Sequence, residues 1–313
     1  FLNQEHDVIE EVPPEFSDLV MPNAELAPNL KKQDILMVRY QRSDVHMTYF
    51  GMEHPVVGGY TPEKVALRRA IALAVDVDKE IRLVRKSQAI PAQGPIGPGT
   101  FGYDPALRSE MGQYNLSRAK ALLDLYGYVD KDGDGWRDQP DGSPLELEYA
   151  SEPDQFKRAL AEQWKKNMDA LGLRFVVRLS QWPENLKASR AGKLMMWIVG
   201  WSVSSPDGDG FLQLAYGPNK GQANHARFNL PAFDEVYRRQ KRLPDGPERQ
   251  AAMDEAQRLL IAYMPYKIHV HRIFTDLAHP WIVGYHRNVF MREFWQYVDV
   301  DPAVAATHRK QDR

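Results

Sequence analysis

With 313 residues the chain exceeds the size at which a single core usually stops growing, so length alone favours two lobes over one compact domain. Its 43% hydrophobic and 11% aromatic residues argue against a disordered chain, and 40 basic against 42 acidic side chains supply no general cationic surface for nucleic acid or anionic lipid. The absence of cysteine removes disulfides, cysteine zinc sites and thiol nucleophiles together, leaving a chain that would fold in an oxidising or a reducing compartment. No stretch approaches the ~18 consecutive apolar residues of a membrane span. The opening Phe1-Leu2-Asn3-Gln4-Glu5-His6 has neither an initiator methionine nor the regions of a signal peptide, and reads as a cut end.

Residues 1–59 read as mixed structure, with strands expected at Ile35-Leu36-Met37-Val38 and through His46-Met47-Thr48-Tyr49-Phe50. Thr61-Pro62-Glu63 supplies an N-cap, a first-turn proline and an early acid. The helix that follows, on Val65, Leu67, Ile71, Leu73 and Val75, is apolar around much of its circumference and is expected to pack between elements. The proline- and glycine-rich stretch Pro91 to Pro105 predicts a loop, Ser117 to Tyr126 a helix and Asp130 to Pro144 a run of turns. A strand at Leu145 to Tyr149, a helix from Gln155 to Leu171 ended by Gly172, and a strand at Arg174 to Leu179 give the strand–helix–strand grammar of an α/β domain. A helix around Pro183 to Gly192 leads to Leu194-Met195-Met196-Trp197-Ile198-Val199-Gly200-Trp201, a strand apolar enough for burial on both faces. Helices at Pro231 to Arg242 and Pro247 to Tyr263, a strand opening at Ile268-His269-Val270-His271 and a polar tail expected to fray from His308 complete the chain.

Asp130, Asp132, Asp134 and Gly135 stand at the first, third, fifth and sixth positions of a loop, as a calcium loop of the EF-hand type requires, with Asp138 ninth and Asp141 twelfth. The twelfth position departs from the long glutamate that type uses, and the flanks read helix then strand. A turn is expected, with no metal; these five aspartates are the candidate ligands should calcium bind. His269 and His271 share one face of a strand without a third ligand in view. Asp207 and Asp209 have the residue type of a glycosidase pair but nothing that sets them across a sugar ring. No Gly-x-Ser-x-Gly elbow, Walker loop or dinucleotide fingerprint occurs, so no enzyme and no cofactor are expected. The loop Gly200 to Phe211, at the carboxyl end of the most buried strand, combines apolar rings, polar groups and glycine backbone, which suits a solute site.

Seven stretches follow one order across residues 60 to 290. They are Ala66 to Asp76, Ile90 to Ile96, Asn115 to Leu123, Asp130 to Trp136 with Gly142-Ser143-Pro144-Leu145, Gly200-Trp201, Asn229 to Glu235 and Pro280 to Tyr285. In that order they resemble the bacterial extracellular solute-binding proteins of family 5, the dipeptide and oligopeptide group. The resemblance implies an α/β fold of the type II periplasmic binding protein kind, present as one nearly complete lobe plus parts of the second. On that basis residues 1–59 would be part of lobe I, 60–275 lobe II, and 276–313 a return to lobe I with the C-terminal tail, the whole being a C-terminal portion of a longer protein.

The function so implied is that of a monomeric extracytoplasmic receptor of an ABC importer. It would hold a peptide or peptide-like solute between two lobes and deliver it to permease subunits in the inner membrane. It would be periplasmic, or an extracellular membrane-anchored lipoprotein if the source is Gram-positive. In peptide-binding relatives the loop after Gly-Trp carries an aspartate for the ligand's amino terminus, and Ser204 stands at that place, so the charge is missing. Trp201, Ser202, Ser204, Asp207, Asn224, Arg227 and Phe228 are the expected ligand-facing residues. The competing expectation is a secreted hydrolase of saccharide or peptide, calcium-stabilised through the Asp130 loop.

Overall fold

The computed structural model describes residues 1–291 and 293–311. Its frame is one mixed sheet of β1 (Val8–Ile9), β2 (Leu36–Gln41), β3 (Asp44–Phe50), β4 (Ala89–Pro91), β5 (Glu146–Ser151), β6 (Arg174–Leu179), β7 (Met196–Ser202) and β8 (Tyr266–Ala278). The main path runs β1-β8-β3-β7-β5-β6, with β2 and β4 also paired to β8. β5 is parallel to both β6 and β7, and the remaining pairs are antiparallel.

β8 sets the plan of the molecule. Its first part, Tyr266 to Val270, pairs with β3, and Ile273 to Ala278 pair with β2. Since only Arg42 and Ser43 separate β2 from β3, the chain crosses between two regions twice, along adjacent antiparallel paths. The main core surrounds one end and includes Tyr49, Leu67, Ile71, Trp164 and Trp197. Two smaller clusters sit on the other, one of Val12, Val20, Leu30 and Ile35 against Leu277, and one of Ala278, Trp281, Tyr285 and Phe294. β3, which the expected border at residue 59 puts with the first lobe, pairs with β7 and β8 of the main sheet, and the chain changes cluster at Arg42-Ser43.

Helices α1 (Pro62–Ala74), α2 (Leu116–Leu125), α3 (Gln155–Leu171), α4 (Trp182–Arg190), α5 (Pro231–Gln240) and α6 (Pro247–Tyr263) belong to the larger region. α1 is buried nearly all round, as its apolar density requires, and Arg68 is buried with it. The Arg68 guanidinium donates to the Tyr263 carbonyl at the end of α6 and to the carbonyls of Val57 and Gly59, satisfying acceptors that would otherwise be orphaned. Burial pulls its pKa down to about 10. α3 starts where the Asp154 carboxylate accepts from the Lys157 amide at 2.8 Å and ends at Gly172, whose φ of 83° is the left-handed value glycine accommodates. The final helix, α7 (Pro302–Gln311), occupies the tail expected to fray from His308; residues 312 and 313 of that tail lie outside the described residues.

Candidate solute cleft

Between Asp76 and Gln88 the chain makes a π-type turn, Glu80–Val84, in which the Arg85 amide reaches the Glu80 carbonyl at 3.0 Å. That five-residue step superimposes the two side chains, and Arg85 Nε donates to Glu80 Oε1 at 2.7 Å. The other Glu80 oxygen meets His269 Nδ1 at 2.8 Å, and His269 Nε2 lies 3.0 Å from Thr48 Oγ1. Burial opposes the Glu80 charge, yet His269 and Arg85 outweigh it and hold this carboxyl at about 2. Arg85 also donates to His46 Nδ1, which makes that ring the acceptor; burial first, then Arg85, keeps its pKa well below the ordinary range.

Two further ion pairs adjoin this one. Arg272 of β8 donates to Asp44 Oδ2 at 2.5 Å, and Lys157 in the first turn of α3 lies 3.4 Å from Glu152. The pairs share one orientation: the Glu80, Glu152 and Asp44 side chains are 0%, 9% and 0% exposed, whereas Arg85, Lys157 and Arg272 are 4%, 18% and 31% exposed. In each, the carboxylate lies deeper and the cation nearer the surface. The Arg85 guanidinium lies 5.3 Å from the Phe156 ring centroid and that of Arg272 4.9 Å from Phe274, which fixes both planes.

Of these groups His46, Arg85, Phe156, Lys157, Arg272 and Phe274 line a cavity of about 440 Å³ together with Gly200 of β7 and, from the other region of the molecule, the segment Glu11 to Glu15. The cavity stands where the two crossing strands leave the main sheet, and its volume is that of a small-solute site. Gly200 is the opening through which β7 contributes: a Cβ there would lie 3.4 Å from His46 Cδ2 and 3.5 Å from Arg272 Nη2.

None of the seven expected ligand-facing residues lines this cavity, although Trp201 follows Gly200 directly. Trp201 is half-buried and donates from Nε1 to the Gly210 carbonyl at 2.9 Å, closing its own loop. Ser202 pairs with Asp44 across β3 and β7, and Ser204 is exposed. Asp207 is bound by Arg249 at 2.9 Å, and Asp209 accepts from Gln240 at 2.6 Å and meets Lys241 at 3.2 Å, so neither carboxylate of the supposed hydrolytic pair is poised for a substrate. Asn224 is buried and tied to Tyr216 and Phe228, Arg227 pairs with Glu53 at 2.6 Å, and the Phe228 ring is core. Arg85, Lys157, Arg272, His46, Phe156 and Phe274, which do line it, were not among the expected residues; they converge from separate elements, and Gly200 was the one local signal.

The aspartate loop brings donor atoms of Asp130, Asp132 and Asp138 within 4.8 Å of one another. Asp134 instead pairs with Arg174, and Asp141 binds the Ser143 hydroxyl at 2.6 Å, so the loop does not assemble the five-carboxylate set. The two histidines also separate: His269 serves Glu80 and Thr48, while His271 Nδ1 lies 2.8 Å from the Asp44 carbonyl.

A family model described as bacterial extracellular solute-binding proteins, family 5 Middle, matches residues 1–223. The chain belongs to this family. Among relatives, the di/tripeptide-binding protein 2 of Pseudomonas aeruginosa is 29% identical over 239 residues, 75% of this chain and 42% of its own length. The heme-binding protein A of Haemophilus influenzae is 26% identical over 241 residues, 76% of this chain and 42% of its own. The oligopeptide-binding protein AppA of Bacillus subtilis, solved with a nonapeptide, superposes with a TM-score of 0.79 at 15% identity, over 96% of this chain and 57% of AppA. The family 5 fold is therefore that of the type II periplasmic binding proteins, and this chain spans about half the length of the relatives it matches. Among the described residues no helix is long and apolar enough to cross a membrane.

Proposed function

We propose that this chain is the solute-binding part of an extracytoplasmic receptor that serves an ABC importer. It holds a peptide or peptide-like solute between the main α/β region and the segments at the two chain ends, hands it to a membrane permease, and catalyses no reaction. The observation that carries this reading is the cavity of about 440 Å³ with walls from both sides of the crossing strands. A solute bridging such walls favours the arrangement in which they are close, which is how a hinged receptor couples occupancy to shape. The two regions, divided at Arg42-Ser43 and within β8, are the lobes of that receptor, and Gly200 with the cations beside it replaces Trp201 and Ser204 as the solute contact. The engagement of Asp207 and Asp209 by Arg249, Gln240 and Lys241 supports the absence of hydrolysis. Titration calorimetry with a mixture of short peptides tests this: saturable heat with the peptides recovered intact is expected, and cleavage of a bound peptide would reject it.

A further inference from the structure

The cavity walls are asymmetric in charge in a way that bears on what the solute must carry. Arg85, Lys157 and Arg272 each have their counter-carboxylate deeper in the protein, so their outer donors turn toward the cavity rather than toward Glu80, Glu152 and Asp44. Among the described residues, Nη1 of Arg85 and Nη1 of Arg272 have no protein acceptor, and the Lys157 ammonium approaches Glu152 only at 3.4 Å. A guanidinium carries five N–H donors in a fixed fork and an ammonium three. Held against Phe156 and Phe274, the two guanidinium heads keep their orientation in the absence of solute.

Among the described residues that line the cavity, no carboxylate is comparably set for a cation. Glu11, on the facing segment, is taken by Arg42 at 3.2 Å, and Glu15 is exposed, where a contact with an amine would be screened by water. Ser204 brings no charge, and Asp207 and Asp209 are committed within their own loop.

We infer that the cavity recognises its solute through an anionic group, a carboxylate in the first instance, seated on Arg85, Lys157 and Arg272 with apolar bulk along Phe156 and Phe274, and that it demands no free amine. This inference rests on the reading of the cavity as the solute site. It changes the class of solute from peptides as such to carboxylates with an apolar neighbour, among which a peptide is recognised by its carboxyl end.

Calorimetric titration of the full chain with Ala-Phe, N-acetyl-Ala-Phe and Ala-Phe amide tests it. Ala-Phe and its N-acetyl form should bind within about threefold of each other, and the amide at least about tenfold more weakly, the lower end for a lost charge-assisted contact. Lys157→Met should weaken the two acids about tenfold and leave the amide unchanged; this side chain is chosen because Arg85 is too buried for its loss to be read apart from folding. Equal binding of acid and amide, or loss of binding on N-acetylation, would overturn the inference while leaving the cavity as a solute site. No binding of any of the three at millimolar concentration would reject the site and the inference together.

Discussion

Gly200 shows what a single residue decides here. A methyl at its position would make ordinary contacts with His46 and Arg272, but the branches of a valine would enter the space between those groups. Gly200→Val is therefore expected to weaken solute binding by at least about tenfold, while its effect on stability stays below about 1 kcal/mol because the position is an exposed point of a strand. Calorimetry paired with urea denaturation separates the two; normal binding by a folded variant would remove β7 from the site. The glycine was visible in the sequence, as part of Gly200-Trp201. The cations around it were not, because Arg85, Lys157 and Arg272 come from a π-type turn, a helix start and a long strand whose convergence depends on tertiary packing alone.

At the scale of elements, period and caps carried most of the reading. α3 starts and stops where Asp154 and Gly172 say it should, and β5, β6 and β7 lie within a residue or two of their apolar runs. Gly172→Ala isolates that stop signal: with only the Arg137 side chain near the added Cβ, the cost is that of the left-handed backbone, about 1 kcal/mol in a urea titration. What the sequence hid were elements without a periodic signature. The π-type turn at Glu80–Val84 and the three-residue β4 are too short to show one. In the segment after the Gly-Trp loop, a polar residue that looks ready for a ligand is engaged by the backbone. Asn224 donates to the carbonyls of Tyr216 and Phe228 at 3.0 and 2.8 Å and accepts from the Phe228 amide at 3.1 Å. Asn224→Ala should thus cost about 2–4 kcal/mol of stability and leave the affinity of the remaining folded protein unchanged. A weakened affinity with unaltered stability would return Asn224 to the site.

For the molecule as a whole, the family resemblance implies two lobes with a border at residue 59, whereas β2 and β3 are joined at Arg42-Ser43 without a breaker and β8 runs unbroken from its pairing with β3 to its pairing with β2. That continuity places titratable groups at the join. His269 and His271 of β8 and His46 of β3 are buried there, and His225 is buried beside Ser189 at 2.9 Å. Burial lowers the pKa of all four, that of His225 to about 4, with Arg190 adding to the shift. In the unfolded chain each ring takes up a proton near the ordinary value of about 6.5, which the folded state refuses until lower pH. The stabilising contribution is therefore complete above about pH 6.5 and is lost as pH falls toward the folded values, by at most about 5 kcal/mol per pH unit if all four rings stay neutral. For His269 the Glu80 carboxylate, and for His271 Asp44, favours protonation and offsets part of the burial. Urea midpoints measured from pH 7.5 to 5 should fall steadily below 6.5. His225→Asn, which keeps a polar partner for Ser189, should flatten part of that slope and leave the upper plateau nearly in place. A flat profile across this range would mean that the rings are solvated, and that the join between the two regions is open rather than packed.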